Sequence, residues 1–125
     1  MQYLKTYLKK ITDRGNTKLA ESIEKTANDV GNKHIKTFSF SSHEIGLLLG
    51  NVQSGKTGQM FGIICKAADL GFPVFVLLTT DNVVLQQQTL DRVKTDLEGL
   101  YLAEWRYTSK SLYAFRSFYT AVFFT

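Results

Sequence analysis

Only one cysteine, Cys65, and one proline, Pro73, occur in the 125 residues. A single thiol excludes an internal disulfide, so stability must come from a packed core. One proline leaves most of the chain free to form helices and strands. No run of 18 or more apolar residues is present, so no membrane span is expected. Charge appears from Lys5 onward, so no signal peptide is expected at the start. His34 and His43 lie in a polar stretch with no cysteine or carboxylate at the spacing a structural zinc site uses. Together these absences suit a protein of the reducing cytoplasm.

Hydrophobic residues make up 44% and charged residues 21%, which is a globular composition. The net charge of +4 is uneven. Residues 1–45 hold eight Lys/Arg against five Asp/Glu, residues 46–100 four against five, and residues 101–125 three against one. Two readings of the basic N-terminal part stay open. It is solvated surface, or it touches nucleic-acid phosphates.

One octapeptide stands out: Gly50-Asn51-Val52-Gln53-Ser54-Gly55-Lys56-Thr57. It fits the phosphate-loop pattern G-x-x-x-x-G-K-[ST] at every fixed position. A chance match in a chain of this length is expected at roughly the 1% level. Each position has a mechanical task. Gly50, Gly55 and the following Gly58 allow tight turns, so that backbone N–H groups form a nest for phosphate oxygens. Ser54 and Gly55 supply such amides. Lys56 reaches the β and γ phosphates as a point charge. The Thr57 hydroxyl is placed to coordinate Mg²⁺. A helix opening here aims its positive dipole end at the anion. Gln53 is a candidate γ-phosphate sensor or a contact to a partner lobe. The ligand implied is ATP with Mg²⁺.

Context supports the motif. Ile45–Leu49 is an apolar run suited to a buried parallel strand. Met60, Phe61, Ile64, Ala67 and Ala68 recur at helical spacing, predicting a helix over 56–70. Gly58 and Gly62, one turn apart, let that helix approach a sheet closely. Gly71 ends it as a left-handed cap, with Pro73 just beyond. Cys65 falls on its apolar side and reads as a small buried hydrophobe. Val74–Leu78 is a continuous apolar run, as in a strand covered on both faces, and a strand is expected over 74–79. A helix follows over 82–97, with Val83, Leu90, Val93 and Leu97 inward. Asp81 either caps that helix or stands as the Mg²⁺-holding acid after a strand.

Upstream, Leu4, Leu8 and Ile11 predict a helix over 2–12, and Leu19, Ile23, Ala27 and Val30 a second over 17–30. Asn16 or Thr17 would cap the second helix at its start and Gly31 at its end. Residues 35–41 read as an edge strand or linker. The expected architecture is therefore α/β: a partial P-loop NTPase (RecA-like) parallel sheet preceded by two N-terminal helices. Its divisions are a helical lead-in over 1–44, an incomplete P-loop core over 45–100, and a tail over 101–125. Nine of the last 25 residues are aromatic, without alternation or turn punctuation. A helix over 109–122 is one expectation there. Another is that native coding ends near Gly99–Leu100 and the tail comes from truncation or a frameshift.

The wording Asn51–Thr57, then Gly62-Ile63-Ile64-Cys65-Lys66-Ala67-Ala68-Asp69-Leu70-Gly71, resembles the endonuclease family built on the Z-one domain. That family is similar to superfamily-two DEAD/DEAH-type helicases. The resemblance continues through Val76–Thr79, Leu85–Thr89 and Arg92. It implies an ATP-binding part of a DNA-processing ATPase associated with an endonuclease, with DNA as partner of the complete protein. It also implies nucleic-acid contacts at Thr79, Thr80, Leu85, Gln88 and Arg92. For Gln88 the alternative is a solvent-facing helix residue. The chain departs from the family pattern in lacking a strand ending in Asp-Glu, a second lobe with an arginine finger, and a nuclease cluster. A missing C-terminal lobe or partner subunit is therefore expected.

Phosphoryl transfer requires metal, positioned water and charge stabilisation together, so turnover by these residues alone is not expected. The alternatives are a stand-alone nucleotide-binding module and an inactive remnant without hydrolysis. A small kinase is a further alternative, with Arg106 and Arg116 as its only late arginines.

Overall fold

The computed structural model describes residues 2–50, 55–78, 83–97, 101–105 and 119–123. They fall into two compact units, Met1–Gly71 and Phe72–Thr125.

The first unit is a helical bundle. Helix α1 spans Tyr3–Asp13 and α2 spans Thr17–Val30, with the left-handed Gly15 (φ 85°) turning the chain between them. Helix α3 spans Lys56–Asp69. Apolar residues at helical spacing give each helix one inward stripe. Leu4, Tyr7 and Ile11 of α1 are buried, as are Ala20, Ile23 and Ala27 of α2 and Phe61, Cys65 and Ala67 of α3. Tyr7 and Phe61 meet edge to face, with ring centroids 6.3 Å apart. Cys65 is a buried thiol outside any disulfide.

Asp69, the last residue of α3, caps the start of α1. Its carboxylate accepts the amides of Tyr3 at 2.7 Å and Leu4 at 3.1 Å. Free amides at a helix N-terminus favour such an anion. The expected cap at Asn16 does not form, since no side-chain cap bond is made there.

Gly31 does not terminate α2 in a left-handed turn. It is right-handed (φ −59°), and the chain continues into a π-helical turn, Gly31–Ile35, in which the Lys36 amide donates to the Gly31 carbonyl at 2.8 Å. Glycine here instead leaves room for a neighbouring side chain. A Cβ there would stand 2.5 Å from Lys66 Cγ of α3. Gly71 does act as expected, with φ 93° and its amide on the Ala68 carbonyl at 2.9 Å.

The second unit holds strand β1 (Val74–Leu78), helix α4 (Val83–Asp96), and strands β2 (Tyr101–Trp105) and β3 (Tyr119–Phe123). The strands form a sheet in the order β1-β3-β2, antiparallel throughout. Val74 pairs with Phe123 and Leu78 with Tyr119, while Tyr101 also pairs with Phe123. In α4, Leu90, Val93 and Leu97 just beyond it are buried, as is Asp96, which lies 3.9 Å from Arg92.

This architecture corrects the expected fold. The described structure is mostly helical, and no parallel strand pair occurs among the described residues. A parallel P-loop sheet is therefore not what the described residues form. Residues 45–49, expected as its first strand, join no sheet. Ile45, Leu47 and Leu49 are more than 80% exposed. Nor is β1 covered on both faces, because Val74 and Val76 are exposed while Leu77 is buried. That alternation suits an antiparallel sheet with one solvated face. The reason for the difference lies in α3. Its inward face, which a parallel sheet would need, is taken by α1 and α2. Gly58 and Gly62 admit α2 rather than a strand, since a Cβ at Gly62 would stand 2.4 Å from Ile23 Cγ2. The aromatic tail supplies strand residues at Tyr101–Trp105 and Tyr119–Phe123. Aromatic and β-branched residues favour such pairing. The end of the helix expected over 109–122 is thus strand, and its earlier part lies outside the described residues.

Candidate phosphate-binding site

Five residues of the expected site are described: Gly50, Gly55, Lys56, Thr57 and Gly58. Gln53 and Ser54 lie outside the described residues.

Gly55 precedes the helix in a left-handed conformation, φ 70° and ψ 33°. A side chain there would meet steric opposition of about 1–2 kcal/mol from its own backbone. It would also press on α2, because a Cβ would come within 3.0 Å of Leu19 Cδ1. Helix α3 opens at Lys56, and its first regular bond runs from the Gln59 amide to the Gly55 carbonyl at 3.0 Å. The amides of Lys56, Thr57 and Gly58 therefore have no acceptor within the helix, and they carry the positive end of its dipole.

The Lys56 side chain turns back across the motif. Its Nζ donates to the Gly50 carbonyl at 3.0 Å. The first and seventh residues of the pattern are thus within one lysine's reach. An ammonium on a neutral carbonyl gains more from a phosphate oxygen, where both partners are charged. Thr57 sits half-buried in the first turn. Its hydroxyl has no hydrogen-bond partner among the described residues. These features fit a phosphate group carrying a divalent cation. Among the described residues, no cluster of three or more His, Cys, Asp or Glu is placed to hold a metal without a nucleotide.

No protein-family model, curated protein or solved structure matches the chain.

The expected nucleic-acid residues are not gathered with the phosphate residues in one unit. Thr79 and Thr80 lie outside the described residues. Leu85, Gln88 and Arg92 are on α4, in the second unit. Gln88 is exposed, and the Arg92 guanidinium faces Asp96. Asp81 also lies outside the described residues.

Sequence reasoning missed the residues behind the motif. The Tyr7 hydroxyl donates to the Gly58 carbonyl at 3.3 Å. The Gln59 amide Nε2 donates to Ser22 Oγ at 3.0 Å, and Gln59 Oε1 is buried without a partner. The spacing of Gly58 and Gly62 signalled a close approach to α3, which Ile23 and Ala27 of α2 make, but it did not name Tyr7 or Ser22. No helix of the described structure is long and apolar enough to cross a membrane.

Proposed function

We propose that Gly50–Thr57 holds the β and γ phosphates of a nucleoside triphosphate, taken as ATP. The chain is then the ATP-binding portion of a helicase-like, endonuclease-associated DNA-processing ATPase. One observation carries the reading. The complete phosphate-loop pattern coincides with a left-handed Gly55 and a helix that opens at Lys56. The Lys56 ammonium moves from the Gly50 carbonyl to the phosphates. The amides at the start of α3 donate to a phosphate oxygen, and Thr57 holds the Mg²⁺ that the nucleotide brings. Gln53 and Ser54 complete the loop. DNA is contacted through Thr79, Thr80, Leu85, Gln88 and Arg92 in the complete protein, which adds a C-terminal lobe or partner subunit.

A second reading is a nucleotide-binding module without hydrolysis. The sequence favours it by offering no apolar strand that ends in Asp-Glu, the acids needed to activate water. Two assays separate the readings. Titration of the chain with Mg·ATP measures binding, and phosphate release measures turnover. Binding that disappears in Lys56→Ala supports the phosphate assignment. Unchanged affinity in that variant removes it. Turnover at background alongside clear binding selects the module.

A further inference from the structure

The first turn of α3 rests on the two N-terminal helices at three places. Leu19 of α2 stands behind Gly55, so close that a Cβ on the glycine would meet its Cδ1 at 3.0 Å. Tyr7 of α1, almost wholly buried, donates its hydroxyl to the Gly58 carbonyl at 3.3 Å. Ser22 of α2 accepts from the Gln59 side-chain amide at 3.0 Å. Residues 45–49, where a supporting strand was expected, give no sheet contact at all. Among the described residues, the contacts that hold this helix start come from α1 and α2.

We infer that the hairpin of α1 and α2 is the positioning scaffold of the phosphate site, with Tyr7 and Leu19 as its positioning residues. The inference rests on the phosphate reading of Gly50–Thr57. Neither residue touches the ligand. Leu19 fills the space that Gly55 would otherwise move into, and so keeps the left-handed turn in place. Tyr7 gives the Gly58 carbonyl a second donor and pins the first turn to α1. A turn held in its binding shape has no ordering cost to meet when phosphate arrives. A turn that frays binds only through its ordered fraction, and apparent affinity falls in proportion.

The test uses the 125-residue chain and Mg·ATP, with Kd from calorimetric titration and thermal melting of each variant without ligand. Tyr7→Phe removes one hydroxyl and keeps the ring, and Leu19→Ala opens the space behind Gly55. Each is expected to weaken ATP binding by roughly three- to tenfold at a temperature where the variant is fully folded. Leu19→Met, which refills the space, restores the native Kd. Asp69→Asn is the control. It loosens the cap of α1 at the opposite end of α3, about 20 Å from Lys56 along the helix. It is expected to lower the melting temperature and leave Kd unchanged. Native affinity in both Tyr7→Phe and Leu19→Ala overturns the inference while the phosphate reading stands. So does an equal loss of affinity in Asp69→Asn, which would make the effect one of general stability. If the native chain binds no ATP, the phosphate reading fails and the inference fails with it.

Discussion

Replacing Gly62 by alanine tests the helix crossing on which α3 depends. The new methyl would stand 2.4 Å from Ile23 Cγ2, with the Ala27 Cβ and the Ile23 carbonyl oxygen both at 3.7 Å. Ile23 has no way to withdraw. It is completely buried, and a β-branched side chain in a helix is held in one χ1 rotamer. Overpacking of this kind costs about 1–3 kcal/mol. The same change gains roughly 1 kcal/mol of helix propensity. The net expectation is a loss of about 1 kcal/mol, read from urea unfolding followed by far-UV circular dichroism. In a unit of this size that is a fall of roughly 4–8 °C in melting temperature.

The sign in a second background is the sharper test. Ile23→Ala removes the opposing methyl at its own cost of about 2–5 kcal/mol. In that background the methyl of Gly62→Ala enters empty space, and its helix propensity should make it stabilising. A reversal of sign between the two backgrounds is the predicted result. Destabilisation of equal size in both would refute a close crossing of α2 and α3 at Gly62.

Three further outcomes are expected. Asp69→Asn weakens the cap on the Tyr3 and Leu4 amides and should cost about 1 kcal/mol in urea unfolding, within the range for N-cap losses. On β1, Val76→Lys should change stability by no more than about 0.5 kcal/mol, since Val76 is exposed. Leu77→Ala should cost roughly 2–5 kcal/mol, because Leu77 is buried, and equal effects at the two positions would contradict a sheet with one solvated face. Gly55→Ala should weaken both fold and ATP binding, because the left-handed turn and Leu19 both oppose a Cβ; a melting curve and a titration matching the native chain would remove that argument.

The helices were legible because period-3.6 patterns are local. The expected spans 2–12, 17–30, 56–70 and 82–97 lie within a residue or two of Tyr3–Asp13, Thr17–Val30, Lys56–Asp69 and Val83–Asp96. Val74–Leu78 was legible as a strand, but its partner was not. Pairing with Tyr119–Phe123 is non-local, and nothing in either run encodes the other. A five-residue apolar run such as Ile45–Leu49 carries no period that commits it to a sheet. The glycines misled in a consistent way. Gly31, Gly58 and Gly62 face side chains of neighbouring helices, with Gly62 the tightest, whereas the pattern alone suggested a cap and a sheet contact. In the candidate site, the motif, a tight turn at its glycines and the helix start were visible in sequence. The supports from Tyr7, Leu19 and Ser22 were not, because they come from residues at least 36 positions away, a separation seen only once the helices pack.

The most direct test of the central claim is calorimetric titration of Mg·ATP into the native chain and into Lys56→Ala. The account predicts saturable binding to the native chain, lost in the variant while its circular dichroism stays native. No binding to the native chain, or equal binding to both, would contradict a phosphate site at Gly50–Thr57.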